Sequence, residues 1–101
     1  MDEANLSVKL VELRGRTSIF IDAEIDKDGD LVMSGQDLGE APMKFWGDSD
    51  YEYWVHVPSN QKDRVILALL EKLYKDDVKA FSKFRDLLGE KGIPSEYGSY
   101  I

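Results

Sequence analysis

A chain of 101 residues with 43% apolar and 33% charged side chains has the composition of one globular domain with a core, and is too short for two independent ones. The absence of cysteine excludes disulfides, thiolate-ligated zinc and a thiol nucleophile, which makes a reducing compartment, by default the cytoplasm, the expectation. A net charge of −7 disfavours nucleic-acid and anionic-membrane partners, and the longest aliphatic run, VILALL at residues 65–70, is far short of the roughly 20 residues of a membrane span.

The first residues, MDEANLSVK, lack the basic-then-apolar layout of a secretory signal, so none is expected. LSVKLVEL, residues 6–13, reads as a strand with Leu6, Val8 and Leu10 on one face; a short helix is the alternative. The strand is favoured because Arg14-Gly15-Arg16 resembles a turn into a second strand. In that strand, TSIFIDAEID at residues 17–26, Ile19, Ile21, Ala23 and Ile25 alternate with Ser18, Phe20, Asp22, Glu24 and Asp26. Asp28-Gly29 predicts a hairpin with a type I′ turn, whose central residues both need positive φ, and the returning strand is expected from Asp30 to Ser34. Residues 35–50, punctuated by Gly35, Gly39, Pro42 and Gly47, read as a loop long enough for a short extra turn or a functional role. YEYWVHV, residues 51–57, is β-branched and aromatic and predicts a fourth strand, ended by Pro58.

Asn60 then opens a helix, with Asp63 completing an imperfect capping box and Val65, Ile66, Leu69, Leu70 and Leu73 at helical spacing. A second helix is expected from Asp76 or Asp77, burying Val78, Phe81, Phe84, Leu87 and Leu88 and stopped by Gly89 or Gly92. The tail IPSEYGSYI is read as a short edge strand or as a segment draped over the core, held by its aromatics. Strands followed by helices predict a single α+β domain over residues 1–101: an antiparallel meander of about four strands with two helices packed on one face.

Charge is unevenly distributed. Residues 22–52 hold ten acids and two bases, a local charge of −8, so the remainder is close to neutral. Alternation places Phe20, Asp22, Glu24, Glu52, Trp54 and His56 on one sheet face, opposite Ile19, Ile21, Ile25, Tyr53, Val55 and Val57. The segment FWGDSDYEYWVHV has six aromatic rings, counting His56, in thirteen residues, more than the buried side of one strand needs. Aromatics among acids on an uncovered face suit a binding surface. The candidate binding residues are therefore Phe20, Asp22, Glu24, Trp46, Asp48, Asp50, Glu52, Trp54 and His56.

Chemistry is less well specified. DKDGDLVMSGQD, residues 26–37, spaces its acids like a calcium loop, but its glycine stands at position 4 of the loop where an EF-hand needs one at 6. Starting at Glu24 corrects the glycine and puts Gly35 where a bidentate Glu is required. A hairpin turn is the simpler reading, with the tip joining an acidic edge that runs on through Asp37 to Asp50. His56 is the only imidazole and no serine lies in a nucleophile-elbow motif, so no catalytic residue is assigned. Glycine spacing excludes a phosphate-binding loop, and no cofactor or structural metal is expected.

The run SGQDLGEAPMKFWGDSDYEYWVHV, with the later LLEKL and EKGIPSEY stretches, resembles a group of small acidic bacterial proteins of unassigned function over residues 30–101. Some small acidic bacterial proteins of this kind are toxin-neutralising immunity proteins. The resemblance implies a non-catalytic, immunity- or inhibitor-like binding module directed at a protein with a basic surface. Two other readings stand beside it: a metal-dependent hydrolase using Asp22, Glu24 and His56, and a homodimer formed through the open sheet face or an edge strand.

Overall fold

The computed structural model describes residues 6–100, which run β1 (Ser7–Leu13), β2 (Thr17–Ile25), β3 (Leu31–Gly39), α1 (Glu40–Trp46), β4 (Asp50–Val57), α2 (Lys62–Tyr74) and α3 (Ala80–Glu90). The strands form one antiparallel sheet in the order β1-β2-β3-β4, the meander expected, and the helices make the class α+β. The chain falls into two compact units, one through Val65 and one from Ile66. Among the described residues no helix is long and apolar enough to cross a membrane.

In the first unit β1 departs from simple alternation. Lys9 pairs with Asp22 and Val11 with Ile21, so Leu10 is an extra residue at a bulge. The bulge corrects the phase of the sequence. Without it Val11 and Leu13 would point away from Val8; with it all three stand opposite Ala23, Ile21 and Ile19. The expected Leu6, Val8, Leu10 stripe is replaced by Val8, Val11 and Leu13.

The hairpin between β2 and β3 also differs in turn type. The Gly29 N–H donates to the Asp26 carbonyl at 3.0 Å, and the Asp26 N–H to the Asp30 carbonyl at 2.9 Å. Gly29 has φ 81°, whereas Asp28 is not in the left-handed region. A type I′ turn needs positive φ at both central residues, so this is a type I turn closed by a left-handed glycine. The Asp26 carboxylate fixes it by accepting from the Asp28 and Asp30 N–H groups at 2.9 and 3.0 Å.

β3 does not stop at Ser34. It continues through Gly39, paired on both sides, and the segment read as a loop becomes the end of the central strand plus α1. Two local devices make this workable. The Tyr53 ring lies where a Cβ on Gly35 would stand, so the aromatic covers the gap in the strand. At Gly39, φ is 114° and the Arg16 carbonyl approaches closely, so a turn that glycine alone makes cheaply leads into α1. Pro42 lies in the first turn of α1, where a missing N–H costs no hydrogen bond, and it is the one buried residue of the helix. The Thr17 hydroxyl accepts from the Ala41 N–H at 2.9 Å, tying α1 to the start of β2, and left-handed Gly47 ends it.

In the second unit, α3 begins at Ala80 after a turn in which Asp77 accepts from the Lys79 N–H at 2.9 Å, and Asp76 is left-handed at φ 63°. The Asp77 carboxylate also accepts from Lys83 Nζ at 2.7 Å. That ion pair, followed by the Lys79 N–H, holds Asp77 below the usual carboxylate range and raises Lys83 above the usual lysine range. The predicted buried set is only partly right: Phe84, Leu87 and Leu88 are half-buried, but Val78 is 98% and Phe81 64% exposed. Val78 sits in the turn before the helix, so the helical stripe does not include it. The tail forms no strand among its described residues, 93–100, but Tyr97 packs on Phe81 at 6.0 Å and takes the Arg85 guanidinium on its ring at 4.1 Å.

Candidate functional site

The sheet register sets the site. Phe20, Gln36 and Glu52 stand in one cross-strand row, and Asp22, Ser34 and Trp54 in the next, on the same face. Each outer strand of this grid thus supplies one aromatic and one carboxylate, two residues apart, and the aromatics occupy opposite corners. The centre is low because Ser34 is small. The result is an open depression of about 260 Å³, lined by all six residues together with Gly35 and Tyr53. Trp54 is 70% exposed.

The polar groups here are only lightly committed. The Gln36 side-chain amide donates to Asp50 at 3.0 Å and to Glu52 at 3.5 Å, which orients both carboxylates on β4. The Asp22 and Glu24 carboxylates, among the described residues, have neither a hydrogen bond nor an ion pair. Lys9 stands opposite Asp22 in the register but reaches Glu12 instead, at 3.9 Å. Asp22 and Glu24 also line a second depression of about 360 Å³ beside β1.

His56 lies on the same face one row further on, aligned with Val32 and Glu24. Glu24 and His56 are separated by a whole strand, about 10 Å at the usual interstrand spacing, so Asp22, Glu24 and His56 do not form a ligand set. His56 turns instead to the hairpin: Nε2 donates to Asp30 Oδ2 at 2.7 Å, while Asp30 Oδ1 accepts from the Ser59 N–H at 2.7 Å. Asp30, with a side chain 17% exposed, is thereby held below the ordinary carboxylate range, first by His56 and then by Ser59. Lys62 Nζ completes the knot by donating to the Gly29 carbonyl at 2.7 Å. Asp26, Asp30 and His56 bring one ligand atom each within 4.8 Å of one another, the distance range of a metal group. Their atoms are already used, however, in closing the turn and joining it to the chain after β4.

Trp46 is not part of the grid. It ends α1 and stacks on Tyr51 at 5.1 Å, and Tyr51 in turn meets Tyr53 at 5.3 Å, on the opposite sheet face. There the Tyr53 hydroxyl donates to Asp37 at 2.7 Å. This bond to a carboxylate, ahead of partial desolvation and the nearby charge, pushes the phenol up to about 12. Asp48 accepts from the Asp50 N–H at 3.1 Å and so shapes the turn into β4.

Of the sequence candidates, Phe20, Asp22, Glu24, Asp50, Glu52, Trp54 and His56 therefore share one face, and Trp46 and Asp48 do not join the depression. Gln36 and Ser34 are the residues that sequence reading missed. The signal was the alternation of Ser34 and Gln36 with Gly35, hidden by reading that glycine as a break. Comparison with protein-family models, curated proteins and solved structures gives no match.

Proposed function

We propose that the chain is a non-catalytic acidic binding module, of immunity or inhibitor type, that meets the basic surface of a protein partner with the sheet face bearing Phe20, Asp22, Glu52 and Trp54. One observation carries the reading: the exposed Trp54 ring, the half-buried Phe20 ring, the unpaired Asp22 carboxylate and the lightly held Glu52 carboxylate are gathered around an open depression of about 260 Å³. Ligand clefts usually hold roughly 300–1,000 Å³, so this one suits a projecting side chain better than a metabolite. The carboxylates speed encounter with a cationic surface, and desolvation of Trp54 and Phe20 then supplies the short-range affinity.

The test compares proteins captured by the parent chain with those captured by Trp54→Ala and by the Asp22→Lys/Glu52→Lys pair. A true partner is lost by both variants and released by salt. Capture of the same proteins at the same strength by all three chains removes the reading.

A further inference from the structure

We infer that the depression framed by Phe20, Asp22, Glu52 and Trp54 is a receptor slot for one arginine side chain of the partner, a deepening that rests on the binding role proposed above. The grid places the exposed Trp54 ring at one corner, the half-buried Phe20 ring at the opposite one and carboxylates at the other two, with Ser34 and Gln36 between. A guanidinium is the side-chain group that uses both features. Its plane stacks on a ring while its forked N–H groups bond a carboxylate; an ammonium offers a point charge without the plane.

The chain itself contains the arrangement. The Arg14 guanidinium lies 5.2 Å from the centre of the Phe20 ring and donates from Nη2 to Glu12 Oε1 at 3.0 Å. Glu12 and Phe20 are cross-strand partners, so an aromatic and a carboxylate on neighbouring strands of this face already hold one guanidinium. Arg14 takes the Phe20 ring but does not itself line the depression, so the exposed Trp54 ring and the Asp22 carboxylate are left open for a guanidinium from outside.

Charge points the same way. The nearest base in the register, Lys9, is engaged by Glu12, so Asp22 has no cation of its own. A second copy of the chain is a poor occupant, because this face carries Asp22, Glu24 and Glu52 and two such faces repel one another.

The experiment titrates the full isotope-labelled chain with a blocked Gly-Arg-Gly peptide and, separately, with its Gly-Lys-Gly counterpart, following amide and indole N–H shifts. The expected result is saturable shifts confined to Phe20, Asp22, Ser34, Gly35, Gln36, Glu52 and Trp54, with the lysine peptide at least about twofold weaker. Trp54→Ala and Asp22→Asn should each weaken the arginine peptide by about two- to fivefold, the worth of an exposed cation–π contact or ion pair. Glu40→Gln, which removes an exposed charge on α1, should change nothing. Shifts spread over all the acids without saturation, equal response to the two peptides, or a Glu40→Gln effect as large as that of Asp22→Asn would each overturn the slot. The two proposals can fail separately. If the slot fails while a captured partner still depends on Trp54, the binding role stands; if the peptide binds as expected while capture ignores these variants, the binding role is refuted and the slot remains.

Discussion

Replacing Gly35 by alanine tests how the central strand is held. The new Cβ would meet the Tyr53 ring, whose atoms occupy that space, and Tyr53 is fixed at its far end by the hydrogen bond to Asp37 and along its edge by Tyr51. Accommodating the methyl group therefore moves the ring and breaks or bends that bond. Overpacking of this kind costs about 1–3 kcal/mol, and a lost hydrogen bond about 0.5–1.5 kcal/mol. Against this stands a gain of about 0.5–1 kcal/mol for replacing glycine within a strand. The net expectation is a loss of about 0.5–4 kcal/mol, centred near 2. Urea unfolding followed by far-ultraviolet circular dichroism measures it, in the parent and in a Tyr53→Ala background where the obstruction is gone. There the same substitution should be neutral or slightly stabilising. A second readout is independent of unfolding: in Gly35→Ala the Tyr53 phenol should fall from about 12 towards the ordinary tyrosine value, seen by ultraviolet titration of the phenolate. Equal cost in the two backgrounds, with the phenol still titrating near 12, would refute the account.

The raised phenol also makes a prediction for alkali: Tyr53 stays protonated in the fold where it ionises in the unfolded chain, so its contribution is full below pH 10 and lost between pH 10 and about 12, measurable as a falling urea midpoint. Asp30 has the opposite sign: its depressed folded value gives stability present above the ordinary carboxylate pKa and lost as pH falls through the folded value, and Asp30→Asn should flatten that acid limb in an acid titration. Lys83, raised by Asp77, contributes fully below the ordinary lysine pKa and is lost as pH rises through its folded value, so Lys83→Met should flatten the alkaline response of α3 amide exchange. Trp54→Ala, at an exposed position, should change stability by no more than about 0.5 kcal/mol in urea unfolding, which separates its effect on binding from any effect on folding.

The legible parts of this fold are those in which one period holds over several residues. Thr17–Ile25 and Asp50–Val57 alternate without interruption, and their alternation alone assembles the sheet face with Phe20, Asp22, Glu24, Glu52, Trp54 and His56. The misreadings arise where a tertiary contact supplies what local sequence lacks. Gly35 breaks the strand pattern of β3, and only the Tyr53 ring from the next strand repairs it. Leu10 fits a simple stripe, yet the bulge needed to align Val11 and Leu13 depends on pairing with β2. α1 has only seven residues and a proline, too few for a helical period to emerge, so the sequence does not separate Trp46, whose partner is Tyr51, from Trp54.

The acids carry the same lesson into function, because equal charges do unequal work. The acids of DKDGDLVMSGQD are spaced much like those of a calcium loop. Its Asp26 and Asp30 carboxylates are instead taken up by backbone N–H groups and by His56, with the Lys62 ammonium on the Gly29 carbonyl beside them. Asp37 is bound by Tyr53 and Asp48 by the Asp50 N–H. These groups hold turns and strand ends together, so neutralising them should be felt in folding. Among the described residues, Asp22 and Glu24 have no internal partner and Glu52 is held only by a long amide contact, which is what the proposed binding role requires of them. The acids with the fewest internal partners therefore lie on the sheet, on the face that carries Phe20 and Trp54.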